Sequence, residues 1–130
     1  MKLLLDTHVF LWYISDDARL PVTFRDAIRA PSNGVFLSVA ALWEAEIKHS
    51  LGKLPLPLPP AEYLPPRRAA HGIASLSIDE ESLITLASLP LLHRDPFDRI
   101  MIAQSIQHGL TIATVDQVIR AYPVPLLPVQ

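Results

Sequence analysis

The run Lys2-Leu3-Leu4-Leu5 constrains this chain most, because it is wholly apolar after its first residue and stops abruptly at Asp6. A strand with one wet face alternates apolar and polar residues. A strand buried on both faces does not, and such strands belong to parallel sheets covered by helices. Parallel neighbours also need long crossover connections, and the segments that follow carry helical patterns. Val9, Phe10, Trp12 and Tyr13 fit a short helix that Asp16-Asp17 breaks, and a second helix is expected from Pro21 to Ala30. Pro31-Ser32-Asn33-Gly34 is a turn by composition, and Val35 to Ser38 is the next strand.

The alternation continues to the end of the sequence. Ser38 is placed to cap a helix from Val39 to about Leu51, with Gly52 as its stop. On it, Ala40, Trp43 and Ile47 are expected to form one apolar face, with Glu44, Lys48 and Leu51 on a neighbouring stripe. Pro55 to Pro60 reads as an extended connector, and a helix starting at Ala61 should break or bend around Pro65-Pro66. Ser75 to Ile78 is a third strand, and Asp79 caps a helix from Ser82 to Leu89. Asp95 and Pro96 then have the features of an N-cap and a first helical residue, starting a helix that Gly109 closes after His108. Leu110 to Thr114 is a fourth strand, Gln117 to Tyr122 a last short helix, and Val124 to Leu127 an edge strand limited by its prolines. Strands alternating with helices give an α/β fold with a mainly parallel central sheet, in one domain over residues 1–130.

Composition narrows the function. Apolar residues make up 50% of the chain and charged ones 18%, which excludes a disordered chain. A formal net charge of −2 gives no global attraction to nucleic acid, so any such contact must come from local Arg and Lys or from a metal. The absence of cysteine removes disulfides, thiolate zinc sites and thiol chemistry. Lys2 precedes only three leucines before Asp6, too short for a signal peptide, and no run approaches the roughly 18 apolar residues of a membrane span. A soluble, cytoplasmic protein with no membrane association is expected.

Ligands of parallel sheets bind beyond the carboxyl ends of the strands. Asp6 ends the first strand, Asp116 follows the fourth, Glu44 lies on the helix leaving the second, and Asp98 stands on the first turn of the helix begun by Asp95-Pro96. Four acids from four segments can converge on one sheet edge, where they repel unless a cation neutralises them or some take up protons. All-oxygen ligation suits Mg²⁺ or Mn²⁺, ions that activate water and stabilise charge on a phosphodiester. Each acid has a plainer alternative: strand end and cap for Asp6, solvated helix residue paired with Lys48 for Glu44, dipole partner for Asp98, turn or cap for Asp116. Their joint placement carries the case. Thr7 is a candidate to orient Asp6 or to cap the first helix. Lys48, Arg94 and Arg99 are candidates to hold phosphates, with Arg99 expected to brace the acids. Ser38 is read mainly as a cap, and His93 as a packed or solvated side chain. Neither a G-x-S-x-G elbow nor a phosphate-binding glycine pattern occurs, and His8 occupies the place where a haloacid-dehalogenase-like phosphatase needs its second acid.

LLLDTHVFLW (residues 3–12), SVAALWEAEIKHSLGKL (38–54), HRDPFDRIMIAQS (93–105) and TIATVD (111–116) resemble the successive motifs of PIN-domain proteins, most closely the VapC-type toxins of bacterial toxin–antitoxin pairs. The resemblance implies a three-layer α/β/α sandwich and a metal-dependent endoribonuclease using Mg²⁺ or Mn²⁺. It maps the family's acidic quartet onto Asp6, Glu44, Asp98 and Asp116, as metal ligands and catalytic groups, and leaves Asp95 as a helix cap or supporting acid. It also implies an RNA substrate, a homodimer and a cognate antitoxin, whose amphipathic helix would lie in a groove by Trp12 and Tyr13 unless these aromatics are core. The reading from a different class is a non-catalytic α/β interaction module whose acids act only as caps and salt-bridge partners.

Overall fold

Four parallel strands form the centre of the protein in the computed structural model, which describes residues 1–130. They are β1 (Lys2–Leu5), β2 (Gly34–Ser38), β3 (Ala74–Leu76) and β4 (Thr111–Ala113), in the order β3-β2-β1-β4. β1 is central: Leu4 lies opposite Phe36 on one side and Ile112 on the other. Leu3, Leu4 and Leu5 have no exposed surface, as a strand covered on both faces requires. Each such leucine contributes about 1.5–3 kcal/mol relative to exposure.

Helices α1 (Thr7–Ile14) and α2 (Val22–Arg29) connect β1 to β2, α3 (Val39–Ser50) and α4 (Pro60–Ala70) connect β2 to β3, and α5 (Glu80–Ala87) and α6 (Pro96–His108) connect β3 to β4. The first two connections step one way across the sheet and the third crosses back past β2 and β1. With right-handed crossovers this distributes helices to both faces. It also makes the β1–β4 boundary the place where the chain leaves adjacent strands in opposite directions, the usual site of a crevice in such sheets.

Several elements differ from expectation. β3 covers Ala74–Leu76 rather than 75–78, and α5 begins at Glu80, two residues early, with Asp79 still its cap at 2.9 Å from the Ser82 N–H. The final helix is only a 3-10 turn, Ile119–Ala121, and the edge strand reduces to one parallel bridge between Ile112 and Leu126. Prolines at 123, 125 and 128 remove the donors a longer ladder would need. α4 runs through Pro65-Pro66 without a break. The carbonyls those prolines free belong to Ala61 and Glu62, both exposed to solvent, while buried Leu64 and a 2.6 Å bond from Arg68 to the Ile73 carbonyl anchor the helix.

α3 carries the main correction to the expected packing. Ala40, Ala41, Glu44 and Ala45 face inward, whereas Trp43 is 60% and Ile47 39% exposed. Small residues let α3 approach α1, α6 and the sheet closely, so the largest apolar side chains on this helix lie outside. Trp43 meets Phe97 of α6 edge-on, with ring centroids 5.0 Å apart.

Candidate active site

The carboxylate-bearing residues sit around the β1–β4 boundary because each is fixed by a local rule. Asp6 is the residue after β1, its N–H bonded to the Ala113 carbonyl at 3.0 Å. It occupies the N-cap position of α1, yet its side chain makes no capping bond. Its Oδ2 instead accepts a 2.7 Å hydrogen bond from Thr114 Oγ1, just past β4. The same Thr114 oxygen accepts from the Asp116 N–H at 3.0 Å, so one hydroxyl ties the ends of both strands together.

Glu44 is buried, 6% exposed, because the small-residue face of α3 turns inward. Its Oε1 accepts from Thr7 Oγ1 at 2.7 Å and its Oε2 faces Lys48 Nζ at 2.8 Å. Thr7 therefore orients Glu44, not Asp6. Lys48 lies among the acids rather than in open solvent. Burial lowers its pKa, but the Glu44 hydrogen bond and charge, with the fields of Asp95 and Asp98, outweigh that and raise it overall. Ser38 is fully buried and accepts from the Ala40 N–H at 3.0 Å as the cap of α3; it touches none of the acids.

At the start of α6, Asp95 Oδ1 accepts from the N–H groups of Phe97 and Asp98 at 2.9 and 3.1 Å, capping the helix. That leaves Asp98 on the first turn, with its side chain nearly buried. Burial and, next, the charges of Asp95, Asp6, Glu44 and Asp116 push the Asp98 carboxyl up to about 8. Burial likewise pushes Asp6 above its ordinary range, against the pull of the Thr114 bond. Asp116 is exposed, and its Oδ1 caps the 3-10 turn through the N–H groups of Val118 (2.8 Å) and Ile119 (3.3 Å), leaving Oδ2 without a protein donor.

Asp98 thus lies within the fields of the other four acids. Arg94 is exposed and has no hydrogen-bond or ion-pair partner in the protein. Arg99 does not brace the acids directly: its Nη1 donates to the Pro90 carbonyl at 2.9 Å and to the Tyr122 hydroxyl at 3.0 Å. Two polar residues at the site, Thr114 and Tyr122, were passed over in the sequence, and a third, His93, was read there as merely packed or solvated. Thr114 touches Asp6, His93 Nε2 stands 3.2 Å from Asp98 Oδ2, and Tyr122 stands 2.8 Å from His93 Nδ1. Thr114 was signalled only by its place two residues before Asp116, and Tyr122 carried no local signal.

The donor set fits a hard divalent cation: every candidate ligand atom is a carboxylate oxygen, and after burial the charges of the neighbouring acids are what raise Asp98. Asp98 Oδ1 and Asp116 Oδ2 accept no protein hydrogen bond. As the side chains stand, no three of them meet around one point closely enough to ligate an ion together. Three of them would have to turn toward one another to share an ion, and the one cation paired with these acids is Lys48, at 2.8 Å from Glu44 Oε2.

A family model described as PIN domain matches residues 3–125. Ribonuclease VapC16 of Mycobacterium tuberculosis is 42% identical over 55 residues, which are 42% of this chain and 39% of that protein. Ribonuclease VapC22 of the same organism is 29% identical over 129 residues, covering 94% of this chain and 92% of that protein. Among solved structures, VapBC2 from Rickettsia felis, bound to a DNA fragment from their promoter, superposes with a TM-score of 0.74 at 15% identity, covering 97% of each chain. That likeness shows the α/β fold, and the family match spans nearly every element described above. The chain belongs to the PIN domain family.

Proposed function

We propose that this protein is a divalent-metal-dependent endoribonuclease that hydrolyses RNA phosphodiester bonds as the toxin of a toxin–antitoxin pair, acting as a single cytoplasmic domain. The observation that carries the reading is the cluster itself: Asp6, Glu44, Asp98 and Asp116 come together from four separate segments, and burial, with the charges of Asp95 and the other three acids, pushes the Asp98 carboxyl up to about 8, an arrangement unfavourable to a fold that does not use it. The similarity to two named ribonucleases supports the choice of RNA.

Asp6 and Asp98 would hold Mg²⁺ or Mn²⁺, with Asp116 offering Oδ2. When bound, the ion supplies water activation and charge stabilisation at the phosphorus. Glu44, both of whose oxygens already have protein donors, would complete the shell and keep Lys48 in place. Arg94, exposed beside Asp95 and free of protein partners, would meet an RNA phosphate. Asp6→Asn and Asp98→Asn should each abolish metal-dependent cleavage, scored by mapping new ends on total RNA with Mg²⁺, with Mn²⁺ and with chelator. Cleavage retained by both purified variants would sink the assignment. If the acids were instead only caps and ion-pair partners, Mn²⁺ would leave the melting temperature unmoved at millimolar excess.

Two surfaces suit the expected partners. A groove of about 450 Å³ beside α1 is lined by Leu11, Trp12, Leu56 and Tyr63, together with Lys53 and the Asp17–Arg19 ion pair; the apolar face of an amphipathic antitoxin helix fits that chemistry. The composite name VapBC2 of the structural neighbour agrees with a bound partner. A second copy of the chain fits the apolar face around Trp43, Leu83, Leu86 and Phe97, which encloses about 330 Å³ and continues into exposed Ile84.

A further inference from the structure

His93, Tyr122 and Arg99 form a polar chain that ends on Asp98, the acid on the first turn of α6. Arg99 Nη1, fixed by the Pro90 carbonyl at 2.9 Å, donates to the Tyr122 hydroxyl at 3.0 Å. A guanidinium can only donate, so the tyrosine oxygen is the acceptor there and its single proton is free to point elsewhere. The nearest partner is His93 Nδ1, at 2.8 Å. In a neutral imidazole that accepts at Nδ1, the proton resides on Nε2, which faces Asp98 Oδ2 at 3.2 Å. Every bond in the chain then runs the same way, from Arg99 through Tyr122 and His93 to Asp98. The rings of His93 and Tyr122 pack edge-on with centroids 5.4 Å apart, which fixes the imidazole plane as well.

We propose that His93 is a positioning residue for Asp98, and that Tyr122 and Arg99 set the tautomer and plane of its ring so that Asp98 Oδ2 is held and Oδ1 is left free for a metal ion. The inference rests on the metal-dependent reading of the site and adds residues to it. The three come from distant places: His93 from the α5–α6 connection, Arg99 from the exposed side of α6, and Tyr122 from beyond the 3-10 turn. A packing role alone needs neither the hydroxyl of Tyr122 nor a donor at Nε2.

Partners that orient metal ligands typically carry about 10–100-fold in metal affinity. The test measures Mn²⁺ dissociation constants by calorimetry and melting temperatures in chelator for the wild type, His93→Phe, His93→Gln and Tyr122→Phe. His93→Phe should weaken Mn²⁺ binding about 10–100-fold. His93→Gln, which restores one donor and one acceptor, should recover most of that loss. Tyr122→Phe, which keeps the ring and removes only the hydroxyl, should weaken binding in the same direction and would decide the matter alone if His93→Phe failed to fold. Wild-type affinity in Tyr122→Phe, and in His93→Phe where that variant folds, overturns the proposal while leaving the metal site standing. Absence of Mn²⁺ binding by the wild type overturns both.

Discussion

Removing the charge of Asp98 should change how stability responds to pH in the metal-free protein. The unfolded chain loses the Asp98 proton near its ordinary value of 3.8, while the folded chain keeps it to about 8. Between these limits folding takes up a proton, so raising the pH destabilises the protein: the contribution is complete below about pH 4 and is lost as pH climbs through 8. About four pKa units at 1.36 kcal/mol each set a ceiling near 6 kcal/mol. The acids share protons as a cluster and the cleft opens to water, which screens their repulsion, so about 2–3 kcal/mol is the working figure. For a chain of this length that is roughly 7–11 °C in melting temperature. Thermal unfolding in chelator from pH 5 to 9 should therefore show the wild type falling by this amount relative to Asp98→Asn, whose profile lacks the Asp98 proton. Added Mg²⁺ should stabilise the wild type increasingly over the same interval, because ligation needs the carboxylate deprotonated, and should do nothing for the variant. Parallel profiles for the two proteins in chelator would refute the view that burial and neighbouring acids hold a proton on Asp98.

Asp95→Asn should keep cleavage within about tenfold of wild type and change stability by less than about 0.5 kcal/mol, since asparagine caps a helix as well as aspartate; loss of activity equal to that of Asp98→Asn in the RNA cleavage assay would contradict the division of roles. Thr114→Val is nearly isosteric but leaves the Asp6 carboxylate and the Asp116 N–H without their donor and acceptor, so denaturant unfolding should register about 2–4 kcal/mol of destabilisation. Lys48→Met should lower stability in chelator and make Mg²⁺ more stabilising than in wild type, because the internal cation is gone; an unchanged response in thermal shift would show that Lys48 does not serve as the counter-ion. Trp43→Glu on the apolar face should shift a dimer to monomer in light scattering without lowering the melting temperature of the monomer.

The parallel sheet and the placement of four acids were legible because both follow from local rules. An uninterrupted apolar run means burial on two faces, and residues just past strand ends share one edge. The Asp95-Pro96 start of α6 was legible for the same reason, being a matter of cap chemistry within three residues. What could not be read depends on distance. The inward face of α3 was misjudged because periodicity counts size, whereas close approach to α1 and α6 selects its alanines and brings Glu44 with them. Thr7 found Glu44 instead of its neighbour Asp6 because a hydroxyl bonds across space. Arg99 was expected on the acids but reaches Tyr122, 23 positions away. The straight run of α4 through two prolines reflects a tertiary anchor, Leu64 and Arg68, overriding backbone preference.

The strand order also sets when the site can exist. β1 is made first and pairs on one side with β4, and Asp6 is joined to Thr114 across 108 positions. Tyr122, Ile119 and Leu127 then close the same side of the sheet through the bonds of Ile112 with Pro125 and Leu127. During synthesis Asp6, Thr7 and Glu44 emerge long before their partners, and contacts so far apart in sequence form late. A growing chain would thus carry its acids separately, inert toward any RNA around it, until nearly all of these 130 residues have emerged. For the ribonuclease proposed above, synthesised on a machine made of RNA, activity would begin only after the segment through Tyr122 has joined the sheet.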